Sequence, residues 1–336
     1  MRKIFFIILA IFLLSSVTLN TVGKKAQGAE AGKKVGLVTD VGKVDDRTFN
    51  QFAYEGMMRA AKEFGLEATY IETQQPTDYE KNIQIFAEEG YQMIVTVGFM
   101  LTDATLKMAA QYPDVKFAGV DQFYAEPLPN TMGLLFSEDQ SAFVVGALAA
   151  QMSKSGVIGC VAGMEIPPVI KFRKGYENGA KYINPKIKVL GVYIDSFTAP
   201  DRGKAAAEAQ IAEGADVIFG CGGPTGSGGI VAAMEKGVWG IGVDQDEYFT
   251  TMGGGPAPYL LSSAMKRVDN AVYSSIKAFA DGSFKGGHYL GTAKNGGIGY
   301  APFHEAESKV PKSVKTKLGQ IMKKLADGSL NTGVKL

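Results

Sequence analysis

The tetrapeptide Gly119-Val-Asp-Gln122 recurs unchanged as Gly242-Val-Asp-Gln245, 123 residues further along the chain. Two more landmarks keep nearly the same spacing. The apolar run Val35-Gly-Leu-Val-Thr39 matches Val157-Ile-Gly-Cys-Val161 at an offset of 122, and Glu89-Gly90 before Met93–Val97 matches Glu213-Gly214 before Val217–Cys221 at an offset of 124. Three matches in one order describe a plan used twice, which restricts the chain to folds built from two like halves.

Within each half, short apolar runs alternate with helical patterns. Val35–Thr39, Glu67–Ile71, Met93–Val97 and Lys116–Val120 read as strands, and Phe49–Phe64, Asp78–Glu89 and Ala104–Gln111 as helices, with Gly65 closing the first. Strands separated by helices of about ten residues form parallel sheets covered on both faces. The expected fold is α/β, with two doubly wound parallel-sheet lobes. A helix over Ser263–Phe279 has no counterpart in a plain tandem, so the chain is expected to cross between the lobes more than once. Residues 32–135 plus about 263–285 are expected to make the first lobe, and 136–262 plus about 286–336 the second. Such crossings make a clam-shell with a ligand cleft between the C-terminal strand ends. An ordinary two-domain α/β enzyme is the competing architecture.

The first 31 residues read as a secretory signal: Arg2 and Lys3 precede the apolar run Ile4–Leu14, and Ala29-Glu-Ala31 offers a small-residue cleavage site. An uncleaved membrane anchor is the competing reading, but the apolar run is short of the roughly 20 residues that a spanning helix needs. No cysteine lies near that site to carry a lipid, so a free periplasmic or secreted protein is expected. The chain has 35 basic and 34 acidic residues; four of the former and one of the latter precede Gly32, leaving a formal charge of −2. A nearly neutral surface disfavours nucleic-acid and anionic-membrane partners. Two cysteines, Cys160 and Cys221, and two histidines, His288 and His304, supply neither a four-thiolate zinc site nor a zincin pair. No metal, no cofactor and no histidine-based catalysis are expected. Cys160 and Cys221 read as buried free thiols, with a bridge open to them if their strands are neighbours.

Residues just past parallel strands face the cleft, and here they are acidic and aromatic. Asp40, Asp121 and Asp244 each end a candidate strand. Converging carboxylates suit a neutral ligand rich in donors, such as a sugar or nucleoside, and repel phosphate or carboxylate. Helix capping is the bland alternative for each aspartate, and paired carboxylates for glycoside hydrolysis stay open. Phe49 and Phe197, expected on opposite lobes, can sandwich a flat heterocycle, although with 19 Phe in the chain core packing competes. The run Gly220–Gly229 lacks Walker and Rossmann spacing and reads as a tight cleft-lining turn. Lys266, expected on the helix after Ser262-Ser263, is a candidate donor to a ligand hydroxyl, against the competing reading of a solvated lysine.

The opening Val35-Gly-Leu-Val-Thr-Asp40-Val-Gly-Lys-Val-Asp-Asp-Arg-Thr-Phe49-Asn50 resembles the signature of the basic membrane protein family, substrate-binding proteins of ABC transporters that include purine-nucleoside receptors. Gly119-Val-Asp121, Phe172-Arg-Lys-Gly-Tyr176, Gly222-Gly-Pro-Thr-Gly226, Gly242-Val-Asp-Gln-Asp246 and Ser263-Ala-Met-Lys-Arg-Val-Asp269 extend the likeness over nearly the whole chain after the leader. The resemblance implies the type I periplasmic-binding-protein clam-shell. It also implies that Phe49 and a second-lobe aromatic stack on the base; that aromatic is carried onto Phe197, with Tyr193 the second candidate. Asp40, Asn50 and Asp121 would then hydrogen-bond around the ligand, Gly222 would line the cleft, and Asp244 and Lys266 would hold ribose hydroxyls. The chain departs from the family's pattern in lacking the lipid-attachment cysteine many members carry. It also departs at Lys43-Val44, where glycine and a different apolar residue are commoner.

The expectation is a non-enzymatic, monomeric receptor outside the cytoplasm that closes on a purine nucleoside and delivers it to an ABC permease. A receptor for a sugar or free nucleobase, and a nucleoside-cleaving enzyme, are the alternatives.

Overall fold

The computed structural model describes residues 32–335; the expected signal over 1–31 lies outside the described residues. The first strands and helices run β1 (Lys34–Val41), α1 (Phe49–Phe64), β2 (Glu67–Thr73), α2 (Tyr79–Glu88), β3 (Met93–Val97), α3 (Thr102–Gln111), β4 (Lys116–Val120) and β5 (Thr131–Phe136). The second half runs α4 (Glu138–Met152), β6 (Val157–Ala162), α5 (Pro167–Ile183), β7 (Lys188–Tyr193), α6 (Pro200–Ala212), β8 (Val217–Cys221), α7 (Gly223–Glu235), β9 (Trp239–Asp244) and β10 (Leu260–Lys266). The chain then continues through α8 (Val268–Ala280), β11 (Gly287–Gly291), β12 (Ile298–Tyr300) and α9 (Lys312–Ala326).

These strands form two six-stranded sheets, ordered β11-β5-β4-β3-β1-β2 and β12-β10-β9-β8-β6-β7. Every pairing is parallel except β10 with β12. Burial follows sheet position. Inner strands β3 and β8 are buried at every residue, whereas edge strands β2 and β7 are largely half-exposed or exposed. That contrast is the physical content of a doubly wound sheet, whose central strands are covered on both faces. Gly65 adopts φ 64° and ends α1 in the left-handed conformation that glycine takes without strain.

Within the described residues the chain passes between the sheets three times, after β5, after β10 and between β11 and β12. The second passage falls later than the sequence suggests. Residues 260–266 form strand β10, paired with β9 from Leu260 to Met265, and the helix begins only at Val268. Ser262 and Ser263 resemble a helix start, but their hydroxyls are engaged inside the second lobe. Ser262 donates to the Ala301 carbonyl (2.6 Å), and Ser263 Oγ accepts the Glu247 N–H (3.1 Å). A second correction concerns residues 286–291, which the sequence pattern assigns to the second lobe. Strand β11 instead pairs with β5 in the first sheet, Gly287 opposite Met132 through Gly291 opposite Phe136. Its Gly-His-Tyr-Leu-Gly sequence carries little apolar signal, because an edge strand is held chiefly by its backbone ladder.

α8 lies against α1, with Gly56 so close to Asp269 that a methyl group there would meet its carbonyl at 2.3 Å. Val314, Leu318 and Ile321 of α9 join the core beneath α4 and α5. The Gly220–Gly229 run also departs from expectation: all but its first three residues lie in α7. Its glycines let backbones meet, as at Gly228, where a methyl would sit 2.0 Å from the Pro200 carbonyl of α6. Cys160 and Cys221 lie on neighbouring strands as buried free thiols, two residues out of register: Ala162 faces Cys221 and Cys160 faces Phe219. No described helix is long and apolar enough to cross a membrane.

Candidate functional site

A cavity that opens to solvent lies between the C-terminal strand ends of the two sheets. Asp40, Phe49, Asn50 and Asp121 line it from the first lobe, and Phe197, Gly222, Asp244 and Lys266 from the second. The structure therefore brings all eight candidate residues to one cavity. Tyr193 is absent from that lining; its ring lies 4.3 Å beneath the Arg173 guanidinium.

Local chemistry fixes each group. The Asp46 carboxylate accepts the N–H groups of Thr48 (2.9 Å), Asn50 (2.9 Å) and Gln51 (3.1 Å), satisfying donors that the start of α1 leaves free. Phe49 and Asn50 are thereby set at the cavity edge, and Asn50 Nδ2 donates to Asp40 Oδ1 (3.0 Å). Gly98 admits the Asp40 carboxylate; a methyl at that glycine would stand 2.9 Å from Asp40 Oδ2. The Phe197 ring packs on the backbone of Gly163 and Gly222. A methyl at Gly163 would meet its Cδ1 at 2.6 Å and the Gly222 carbonyl oxygen at 3.0 Å. Gly163→Ala is expected to push the ring from its seat and weaken ligand binding about tenfold, while changing stability by no more than about 1–3 kcal/mol. Calorimetric titration beside denaturant unfolding measures both; unchanged affinity would show that the ring position does not matter to the ligand.

The repeated motif places its two aspartates alike and its two glutamines differently. Asp121 and Asp244 both take left-handed backbone conformations, φ 63° and 64°, uncommon for a residue with a side chain and frequent where a strand end serves a site. Gln122 Nε2 donates within its own lobe to Thr96 Oγ1 (3.1 Å) and the Gly98 carbonyl (3.0 Å). Gln245 Nε2 reaches across the cleft to the Thr48 carbonyl (2.8 Å). Lys266 makes a second bridge, donating to Asp121 Oδ2 at 2.6 Å. It does so from the end of β10, a correction to its expected helical position.

The electrostatics are dominated by acids removed from water. Burial raises Asp40 to about 7, against the Asn50 hydrogen bond and with added repulsion from Asp46 and Asp121. Burial raises Asp244 to about 8, with Lys266 opposing the shift. Asp121 is also raised by burial, and Lys266 pulls it back. Burial works against the Lys266 charge, yet Asp121, Glu138 and Asp244 together hold its ammonium well above the ordinary lysine range. Asp121 Oδ1 and Asn50 Oδ1 are buried with no hydrogen-bond donor among the described residues. Buried acceptors of this kind cost free energy until a donor reaches them. The wall therefore suits a ligand that brings N–H or O–H groups, and an added phosphate would face a carboxylate majority.

Some wall residues carry no role in the sequence reading. Phe172, Ile166, Pro168 and Val169 supply an apolar side from the start of α5, and Phe99 lies after β3. The repeat offset was the available signal, since adding 122 to Asp40 leads to Ala162, the last residue of β6 before the loop into α5.

A family model described as "ABC transporter substrate-binding protein PnrA-like", the Bmp family, matches residues 33–327. The chain belongs to that family. It is 34% identical over 282 residues to the ABC transporter nucleoside-binding protein BmpA of Lactococcus lactis, covering 79% of this chain and 80% of that one. Basic membrane protein A of Borreliella burgdorferi is 36% identical over 247 residues, 72% of each chain. Among solved structures, a solute-binding protein of an ABC transporter system from Aeropyrum pernix superposes with a TM-score of 0.82 at 27% identity, covering 89% of this chain and 92% of that one. The fold is that of the periplasmic solute-binding clam-shells, and membership makes the chain an ABC transporter substrate-binding protein.

Proposed function

We propose that this protein is an exported, non-enzymatic, monomeric receptor that closes by hinge motion on one purine nucleoside and presents it to a membrane permease. The observation that carries this reading is the acceptor-rich cavity between two lobes, with Phe49 entering from one side and Phe197 from the other. A purine between two aromatic rings gains about 1–3 kcal/mol per contact. In this reading Asp40, Asn50 and Asp121 hydrogen-bond around the ligand, and Asp244 and Lys266 take the ribose hydroxyls. The nucleoside-binding relative in Lactococcus lactis supports the ligand class. The Gln245–Thr48 and Lys266–Asp121 bridges belong, in this reading, to the closed form, and the three chain crossings to its hinge.

The test is thermal unfolding of the chain from Gly32, freed of co-purified ligand, against nucleosides, free bases, pentoses and hexoses. A ligand at about a thousand times its dissociation constant adds roughly 4 kcal/mol to the folded state. Stabilisation by purine nucleosides above all other compounds is the expected result. Stabilisation by a sugar or base alone would reassign the ligand, and release of free base on long incubation would make the protein an enzyme.

A further inference from the structure

Glu138 does not line the cavity, yet it is 1% exposed and lies in the middle of the charge network behind it. It opens α4 two residues after β5 ends, at the first crossing into the second lobe. Lys266 ends β10 two residues before α8, at the crossing back. Their side chains meet there, with Nζ 3.0 Å from Glu138 Oε1. The other carboxylate oxygen accepts from Lys171 Nζ (3.1 Å), and that ammonium also donates to the Phe136 carbonyl at the end of β5 (3.1 Å).

One carboxylate, Asp121, would suffice to neutralise Lys266, and burying a second, Glu138 at 1% exposed, carries a desolvation cost. The lobes explain the surplus. Asp121 belongs to the first lobe and leaves the ammonium when the lobes part. Glu138, Lys171 and Lys266 all belong to the second lobe and stay together. The rings of Phe49, Phe136 and Phe172, with centroids 5.1, 5.1 and 5.8 Å from Nζ, wall in the same ammonium. A lysine held only by Asp121 would regain its rotamers on each opening and lose them again on each closure.

We propose that Glu138 is a positioning residue that holds the Lys266 ammonium in place at the crossing of the lobes, open or closed, so that recognition of the ligand's hydroxyl-bearing end depends on it. This rests on the nucleoside reading above and adds to it a residue that never touches the ligand.

The experiment compares wild-type protein with Glu138→Gln by calorimetric titration of adenosine, guanosine and inosine, each beside its free base. Nucleoside affinity is expected to fall by about tenfold or more, and free-base affinity to stay within about twofold. A purely structural role for Glu138 would lower both together, and equal losses or no loss would overturn the proposal. If the single variant does not fold, Glu138→Gln with Lys171→Met removes one charge of each sign, a replacement that buried pairs often tolerate. The same selective loss is expected there, because Lys266 has lost Glu138 in either case. Failure of both variants to fold would assign Glu138 to the fold alone. Wild-type protein that binds none of the nucleosides would remove the nucleoside reading itself, whereas wild-type binding without selective loss in the variant removes only the role of Glu138.

Discussion

In Asp244→Ala, affinity for a purine nucleoside is expected to fall by about 100-fold, and affinity for the matching free base by less than about threefold. Asp244 ends β9 in a left-handed conformation, 4% exposed, and no described protein group donates a hydrogen bond to its carboxylate. A pair of ligand hydroxyls is what such a group lacks. Hydrogen bonds to a charged acceptor contribute about 1.5–3 kcal/mol, and the truncated site would leave the ligand hydroxyls short of an acceptor. A ligand without ribose makes neither contact and loses nothing there. Stability points the other way: the carboxylate is held against its desolvation in the empty cleft, so the ligand-free variant should unfold no more easily than wild type. Calorimetric titration of nucleoside and base against both proteins measures the split. Parallel losses for the two ligands would take the ribose away from Asp244.

The architecture was readable because parallel strands buried on both faces must be continuously apolar. Met93–Val97 and Val217–Cys221 can be little else, and the duplicated Gly-Val-Asp-Gln locates their partners in the other half. What escaped were elements held by backbone pairing or by small polar side chains. Gly287–Gly291 has no apolar pattern to announce an edge strand. Leu260–Lys266 places two serines where a buried strand would usually carry branched apolar residues, and only the Ala301 carbonyl and the Glu247 N–H explain their presence.

The site divides on the same line. Asp40, Asp121 and Asp244 were legible because a charged residue directly after an apolar strand has few places to go. Phe49 and Phe197 were legible beside polar turns. The apolar side from Ile166 to Phe172 was not, since Pro, Val and Phe at a helix start look like core. Glu138 was less visible still. On a helix as apolar as Ser141–Ala150 it resembles an ordinary first-turn acid facing the helix dipole. Only the tertiary meeting of two chain crossings sets it against Lys266.

Ligand-free protein is expected to be compact at pH 5 and open at pH 9, and liganded protein compact at both. The cause is the burial of Asp40 and Asp244, carried from an ordinary 3.8 to about 7 and about 8. In an open cleft water returns to both carboxylates and their values fall back toward 3.8. A proton is thus held more tightly in the empty closed form than in the open one. Closure is fully supported while both forms are protonated, below about pH 4. It loses support as pH rises through about 7 and 8, at about 1.4 kcal/mol for each unit by which a group is shifted. Neighbouring charges do not reverse the sign. Asp46 and Asp121 repel Asp40 further, and Lys266 already opposes the shift of Asp244. Glu247, also raised by burial to about 7, is held by Ser227 and the Val243 N–H within the second lobe and keeps those partners when the lobes part. A ligand replaces the protons with its own donors, so the ionised carboxylates can stay buried. Empty closure at neutral pH is then costly and filled closure is not, which gives a transport receptor a reason to present only loaded clefts. Small-angle scattering measures the difference as a radius of gyration; an empty protein of one size at pH 5 and pH 9 would show that carboxylate burial does not govern closure.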